Sequence, residues 1–323
     1  MKAIRIHETG GPEVLRLEEI TLPEPGQGQA RVRHTAIGVN FIDTYHRTGL
    51  YKLPLPSGLG VEAAGVVEAV GPGVAHVRAG DRVAYVSRPP GGYAEAALVP
   101  AERLVRIPEG VSDEVAAAAM LKGMTVWMLV RRIHAVKPGE SVLFHAAAGG
   151  VGLIAMQWLR ALGARTIATV GSDEKGKLAL ESGATDVVVY TREDFVKRVR
   201  ELTKGEGVPV VYDSVGRSTF EGSLDCLSPL GLMVSYGNAS GPVPPFDLGQ
   251  LAAKGSLFLT RPTLFSYTAR REDLEEGARE LFAVIASGQV KIEVKHRWPL
   301  GHAADAHRAL EGRHTTGSIV LVP

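Results

Sequence analysis

A regular alternation of short apolar strands and helices begins near Ser141 and limits the possible folds more than any other feature of the sequence. Such strands require a parallel sheet covered on both faces, because each strand is then buried on two sides. The pattern predicts a doubly wound α/β sheet of about six strands. The predicted strands are 141–146, 166–171, 186–190, 208–216, 231–238 and 256–262, and the helices between them are 150–162, 174–182, 194–203 and 219–227.

The residues on either side of this region show a different pattern. The first third has short strands separated by Gly and Pro clusters, which predicts an antiparallel, barrel-like or sandwich-like domain. An Ala-rich helix opening at 111–114 and a second helix at 125–135 follow. We interpret the tail after Pro262 as returning to the first domain. The predicted domains are therefore a discontinuous one, 1–123 with 265–323, and an inserted one, 124–264, with the active site in the cleft between them.

Composition excludes several classes of protein. The 323 residues carry a formal net charge of +1, which gives no electrostatic footprint for nucleic acid or an anionic membrane. The single cysteine, Cys226, excludes a disulfide framework and a thiolate-clustered metal site. The N-terminal segment lacks an apolar signal core, and the apolar run 115–130 is interrupted by Lys122 and is shorter than the ~20 residues of a membrane span. We expect a cytoplasmic protein.

The strongest local motif is the Gly-rich loop 147–152, between the first predicted strand and helix. It matches the dinucleotide fingerprint G-x-G-x-x-G with Ala147 at the first glycine position. Gly149 would let the backbone approach a pyrophosphate, and Gly152 would let the helix pack on the strand. The helix N-terminus would supply unpaired N–H groups and a positive dipole. The alternative is a tight turn that binds no ligand.

The end of the second predicted strand indicates which dinucleotide binds. An NAD enzyme places Asp or Glu there to accept from the ribose 2′-OH. This strand ends at Gly171, and Ser172 and Lys175 follow, where they would bind a 2′-phosphate. Tyr190, after the third strand, would cover the adenine or donate to the phosphate. We therefore predict NADPH. In the alternative, Asp173 or Glu174 is the displaced acid rather than a helix N-terminal carboxylate.

No metal-ligand spacing, nucleophile elbow or H-E-x-x-H helix is present among the ten histidines and their neighbours. The chemistry would then reside in the cofactor, and hydride transfer fits that requirement.

Six sequence blocks together resemble one family: GVNFIDTYHRTGLY, LPSGLGVEAAGVVEAVG, FHAAAGGVGLIAMQW, VVYDSVG, GLMVSYGNASG and KGSLFLTRP. They are similar to the zinc-free NADPH:quinone oxidoreductases, the zeta-crystallin-like branch of the medium-chain dehydrogenase/reductase superfamily. The resemblance implies a Rossmann cofactor domain inserted in a mainly antiparallel GroES-like catalytic domain. It also implies a homodimer formed by edge pairing of strands 231–236 and 256–260. Zinc-dependent relatives carry a Cys near Asn40 and a His-Glu pair where Val61-Glu62 stands here, so the resemblance implies no metal site.

The resemblance also assigns site residues. Asn40, Tyr45 and Tyr51 would be catalytic, with Asn40 donating to the oxygen on which negative charge grows and the two tyrosines stopping a flat quinone against the nicotinamide. The implied cofactor contacts are Phe41, Tyr45, Thr125, Met128, Gly149, Gly150, Val151, Gly152, Gly171, Ser172, Lys175, Tyr190, Ser214, Val215, Gly237, Asn238, Ser240, Pro262, Leu264 and Arg313.

Each assignment has a structural alternative. Asn40 would hold a loop, the two tyrosines would pack between domains, Lys175 would be a solvated helix residue and Arg313 would cap its helix.

The function of the whole protein also has alternatives. One is an NADPH-dependent reductase of enone or alkenal C=C bonds from the same superfamily. The other is a non-enzymatic NADPH-binding structural or RNA-binding protein, against which the net charge and the intact cofactor segments argue.

Overall fold

Two units make up the computed structural model, which describes residues 1–312 and 315–323. Unit 1 consists of Met1–Met124, Arg270–Ala286 and Ile292–Pro323, and unit 2 of Thr125–Ala269 and Ser287–Lys291. Unit 1 is therefore discontinuous in sequence.

The N-terminal part of unit 1 is built from strands whose apolar residues are largely buried in one core. Asn40 follows the longest of these strands and caps a short helix that the sequence did not predict. The elements are β1 Lys2–Ile6, β2 Arg16–Glu19, β3 Gln29–Val39, α1 Phe41–Arg47, β4 Ser57–Gly58, β5 Glu62–Val70, β6 Arg82–Val86, β7 Ala96–Pro100 and β8 Leu104–Arg106.

A continuous helical run follows, not the two helices predicted. Helix α2 spans Asp113–Trp127 and continues directly into π-helical turns at Met128–Ile133. The second helix, predicted to begin at residue 125, is a continuation of the first, because the single glycine before it, Gly123, lowers helix propensity but does not end a helix. Between Met124 and Val136 the sequence has no Gly or Pro.

Unit 2 continues the strand–helix alternation. Its six strands are parallel, in the order β11-β10-β9-β12-β13-β14, with the first strand, β9, in the interior of the sheet. The elements are β9 Ser141–Phe144, α3 Gly150–Ala161, β10 Arg165–Val170, α4 Asp173–Ser182, β11 Asp186–Val189, α5 Phe195–Leu202, β12 Val208–Asp213, α6 Phe220–Asp225, β13 Leu227–Ser235, α7 Gly249–Ala253, β14 Phe258–Thr260 and α8 Leu264–Tyr267.

The tail returns to unit 1 as α9 Arg271–Ala286, β15 Val294–Pro299, α10 Ala303–Glu311 and β16 Ser318–Val322. Strand β16 pairs antiparallel with β3, and β15 lies parallel to β16. The resulting seven-stranded sheet has the order β15-β16-β3-β5-β6-β8, with β7 also on β3; a smaller sheet has the order β2-β1-β4.

Each unit has its own apolar core. In unit 1 the core includes Val32, Ile37, Tyr93 and Leu321, and in unit 2 Leu143, Ile167, Val211 and Met233. Among the described residues, no helix is long and apolar enough to cross a membrane.

Candidate active site

The Gly-rich loop of unit 2 connects β9 to α3. Ala146 adopts a left-handed conformation (φ 55°), and Gly149 is the N-cap of α3. A Cβ at Gly152 would collide with the carbonyl oxygens of Ala146 and Ala147, so the close packing of helix on strand requires glycine. The arrangement presents the N-terminal N–H groups of a 12-residue helix at the carboxyl edge of a parallel sheet. That is the geometry of a dinucleotide pyrophosphate site.

The adenosine end of such a site lies where β10 and β11 end. Gly171 follows β10, and a Cβ built on it would be 2.8 Å from the Tyr190 hydroxyl. Ser172 is the N-cap of α4, and its hydroxyl accepts from the Lys175 backbone N–H at 3.4 Å. The structure thus brings Gly171, Ser172, Lys175 and Tyr190 to one edge of unit 2.

The competing acid, Asp173, is paired. Its carboxylate accepts two hydrogen bonds from the Arg192 guanidinium, at 2.6 and 2.9 Å. Arg192 therefore lies at the same edge as Lys175, although the sequence did not indicate it as a site residue. Asp173 is also the first residue of α4, where a carboxylate is favoured by the helix dipole.

The loops after β12 and β13 are joined to each other. The Ser240 N–H donates to the Val215 carbonyl at 2.8 Å, and the Ala239 N–H to the Ser214 carbonyl at 3.1 Å. Arg261 donates to the Gly237 carbonyl at 2.8 Å. The structure therefore brings the predicted residues Ser214, Val215, Gly237, Asn238 and Ser240 together along the same edge.

A buried carboxylate supports these loops. Asp213, at the end of β12 and 0% exposed, accepts from the backbone N–H groups of Val215 and Gly216 and from the Thr219 hydroxyl. Its neighbour Ser223 contacts His145, which lies just before the Gly-rich loop. Burial lowers the pKa of His145, which is a buried histidine hydrogen-bonded to Thr169 and Ser223.

The remaining predicted residues of unit 2 have varied positions. Thr125 and Met128 lie on the helical run, where Met128 is buried; Pro262 follows β14, and Leu264 is the buried first residue of α8. Arg313 lies outside the described residues.

In unit 1 the sequence NFIDTYHR forms the junction between β3 and α1. Asn40 is the N-cap, and its backbone N–H donates to the Asp43 carboxylate at 2.8 Å, which fixes the first turn. The Asn40 side-chain nitrogen donates to Glu62 Oε1 at 2.6 Å. Asn40 is 5% exposed and Glu62 is 0% exposed.

Glu62 is part of a buried charge pair. The Lys122 ammonium lies 3.4 Å from Glu62 Oε1 and donates to the Val39 carbonyl at 3.3 Å. The second carboxylate oxygen accepts from the backbone N–H of Leu121. Glu62 and the Val39 carbonyl thus provide partners for the Lys122 ammonium on the apolar helix α2, next to Asn40.

Three aromatic rings form a cluster on α1 and the loop after it. Tyr45 and Tyr51 meet edge to face with centroids 5.2 Å apart, and Phe41 lies 6.4 Å from Tyr45. Phe41 is 36% exposed, and both tyrosines are half-buried. The structure thus places the predicted Tyr45 and Tyr51 together.

A second polar network anchors α1 to α10. The Tyr93 hydroxyl donates to Asp43 at 3.0 Å and lies 3.0 Å from His307, while Arg47 pairs with Glu311 at 2.7 Å. Burial raises the pKa of Asp43 to about 7 and lowers that of His307 to about 3.

Within residues 1–312 and 315–323, no three His, Cys, Asp or Glu side chains are grouped so that they could hold a metal ion. Val61 and Asn40 occupy the positions at which the sequence analysis noted ligands in zinc-dependent relatives.

Comparisons with known proteins agree with this geometry. A family model described as alcohol dehydrogenase GroES-like domain matches residues 26–109, and one described as zinc-binding dehydrogenase matches residues 150–283. A quinone oxidoreductase of Pseudomonas aeruginosa is 53% identical, covering 100% of this chain and 99% of its own. The crystal structure of Escherichia coli quinone oxidoreductase complexed with NADPH has a TM-score of 0.98 at 52% identity and covers 100% of both chains. A 2-haloacrylate reductase of a Burkholderia species is 47% identical, with 98% of each chain covered.

The two family models define the class, a dehydrogenase with a GroES-like domain and a nucleotide-binding domain. Within that class, the chain belongs to the quinone oxidoreductase family. The family and the fold class predicted from the sequence are both confirmed.

Sequence reasoning missed Glu62, Lys122, Arg192 and Asp213 as members of these sites. Asp213 had a usable signal, an acid directly after a buried parallel strand. Glu62 had one too, since it stands where zinc-dependent relatives carry the Glu of a His-Glu pair, but its partner Lys122 had none, because the two residues lie 60 positions apart and meet only in the fold.

Proposed function

We propose that this protein reduces quinones with NADPH and does so without zinc. The observation that carries the proposal is the whole-chain similarity to the Escherichia coli quinone oxidoreductase crystallised with NADPH. The pairing of Asp173 with Arg192 and the Gly171–Tyr190 contact support NADPH over NADH, because Asp173 is engaged by a cation instead of being available to a ribose hydroxyl.

The residues of unit 2 are proposed to bind the cofactor. The N–H groups of residues 149–152 hold its pyrophosphate, and Ser172, Lys175 and Tyr190 hold its 2′-phosphoadenosine. When bound, NADPH supplies the hydride. Thr125, Met128, Ser214, Val215, Gly237, Asn238, Ser240, Pro262 and Leu264 stay proposed contacts.

The residues of unit 1 are proposed to receive the acceptor. Tyr45 and Tyr51 offer a wall of aromatic surface suited to a flat ring, and Phe41 extends it. Asn40 donates to the acceptor oxygen as negative charge develops, a preorganised contribution of about 2–4 kcal/mol in comparable sites. The hydroquinone oxygen takes its proton from water.

A second candidate is reduction of a conjugated C=C bond. The 2-haloacrylate reductase at 47% identity favours it, because an acrylate carries such a bond. That product needs a proton on carbon, so Tyr45 would then act as an acid.

The protein is also proposed to be a homodimer that pairs through β14. This strand ends the six-stranded sheet, and Phe258 on it is 60% exposed. Leu230 and Leu248 are 67% and 69% exposed in the same unit. Unpaired strand edges with exposed apolar residues pair readily with another chain.

The test is steady-state oxidation of NADPH and of NADH, each with 1,4-benzoquinone and then with a simple enone. Turnover of benzoquinone with at least a tenfold preference for NADPH in kcat/KM is expected. Preference for NADH would overturn the 2′-phosphate assignment and make Asp173 the ribose ligand. Enone turnover without quinone turnover would make the second candidate the function.

A further inference from the structure

We propose that Glu62 is a positioning residue that orients the Asn40 side chain, and that Lys122 is the counter-charge that allows Glu62 to be buried there. This rests on the proposed function, in which Asn40 faces the acceptor.

The argument begins with the Asn40 amide. An ionised carboxylate only accepts hydrogen bonds, so the group that faces Glu62 Oε1 at 2.6 Å must be the Asn40 nitrogen. The planar amide then has its oxygen directed elsewhere and one N–H remaining. Glu62 therefore selects one of the two orientations of the amide, which an uncharged hydroxyl neighbour would not do.

The second step is the fixed position of the carboxylate. Its other oxygen accepts from the Leu121 backbone N–H, so it is held at both ends. A Cβ at Gly38 would collide with the Glu62 carboxylate, so glycine on β3 is what admits it. The position of the carboxylate therefore depends on three elements: β3 provides Gly38, β5 carries Glu62 itself, and α2 provides the Leu121 N–H.

The third step is charge. A carboxylate that is 0% exposed is costly unless it is paired and hydrogen-bonded. The Lys122 ammonium lies 3.4 Å away and is also held by the Val39 carbonyl, the residue before Asn40. Buried ion pairs contribute little to stability compared with apolar residues of similar size, so stability alone does not explain this one.

Two double variants test the orientation while both remove the two charges. Glu62→Gln with Lys122→Met has a single oxygen, which the fixed Leu121 backbone N–H takes, so the Gln amide nitrogen faces Asn40 and the Asn40 amide must reverse. Glu62→Met with Lys122→Met removes both acceptors. We expect kcat with 1,4-benzoquinone to fall about 100-fold in the first variant, where the Asn40 amide is reversed, and about tenfold in the second, where the amide turns between both orientations. The Kd for NADPH, from fluorescence titration, should change less than twofold in both. Equal kcat values for the two variants would overturn the proposal.

A double-mutant cycle that combines Asn40→Ala with the Glu62→Met, Lys122→Met pair separates an effect on the Asn40 orientation from general structural damage. Asn40→Ala alone should lose about 100-fold in kcat, and adding the Met pair to it should lower kcat no further. If the two decreases in kcat multiply in the combined variant, Glu62 acts independently of Asn40 and the proposal is wrong. Asp113→Asn, which breaks the Arg82 pair elsewhere in unit 1, is the control for ion-pair loss and should leave the cycle unchanged.

A crystal structure of each double variant gives a readout that does not depend on turnover. With Gln at position 62 the Asn40 amide should be reversed, its oxygen accepting from the Gln nitrogen, and with Met its rotamer should be lost. An unchanged rotamer with Met would overturn the proposal. If wild-type protein fails to reduce quinone, the proposed function fails, and the rotamer comparison still decides the role of Glu62.

Discussion

At the end of β10, Gly171 is the residue proposed to decide between NADPH and NADH. Gly171 leaves space that the Tyr190 hydroxyl approaches, and the adjacent Asp173 is neutralised by Arg192. An acid at position 171 would repel a 2′-phosphate and accept from a ribose hydroxyl.

Gly171→Asp should therefore lower kcat/KM for NADPH by about 100-fold and raise it for NADH, because a carboxylate and a phosphate dianion repel each other at short range. Gly171→Ala is the matched control, since it displaces Tyr190 without adding charge. Initial rates with both cofactors measure the outcome. An equal loss with Ala and Asp would attribute the effect to packing instead.

Single residues differ in how far the sequence reveals them. Gly149, Gly152 and Gly171 were found because each belongs to a local strand–loop–helix pattern with a known purpose. Glu62 and Lys122 were missed because the cost of burying a charge is met by a partner distant in sequence. In the sequence, Lys122 is only an interruption of an apolar run.

Among the elements, the strands of unit 2 were the most predictable, because parallel strands buried on both faces are continuously apolar. Helix α1 was missed because its seven residues are too few to show a helical repeat of apolar positions. The only local signal was the capping pair Asn40 and Asp43. The last strand of unit 2 was predicted too long, since β14 pairs with β13 over three residues only.

The edge position of β14 gives a test of assembly. Phe258→Asp should convert a dimer into a monomer of 34.3 kDa, because a carboxylate would be buried unpaired in the paired edge. Light scattering on a sizing column measures the mass. Leu180→Asp, at a 49% exposed residue of α4, is the control and should stay dimeric. A wild-type monomer would contradict the dimer proposal directly.

For the whole chain, buried titratable groups are concentrated in unit 1. Burial lowers the pKa of His34 and His46 to about 4 and that of His307 to about 3, and it raises the pKa of Asp43 to about 7. His34 donates from Nδ1 to the Ala94 carbonyl and accepts from the Tyr85 hydroxyl, so it is held neutral.

These shifts predict acid destabilisation. The histidines bind protons more readily unfolded than folded, so their contribution is present above pH 6.5 and is lost as the pH falls toward 4. Asp43 opposes them, because its contribution is lost as the pH rises from 3.8 to about 7. In unit 1, three imidazoles against one carboxyl leave a net loss of up to about 3 kcal/mol per pH unit. His145 of unit 2, whose pKa burial also lowers, adds to this loss. Urea unfolding at pH 6.5, 5.5 and 4.5 measures it; His34→Gln should reduce the slope, and a slope of zero would contradict the assignment.

The pairing of β16 with β3 has a consequence for synthesis. Ile319 lies opposite Val39 and Leu321 opposite Ile37, so residues about 280 positions apart close the sheet beside Asn40. During translation, the strands of unit 2 are all made before that partner exists, and domains generally fold as they emerge. We therefore expect the nucleotide-binding unit to mature first on the ribosome. The residues proposed to bind the acceptor then gain the support of β16 only once that strand has been made, so we expect no quinone turnover from a nascent chain that lacks β16.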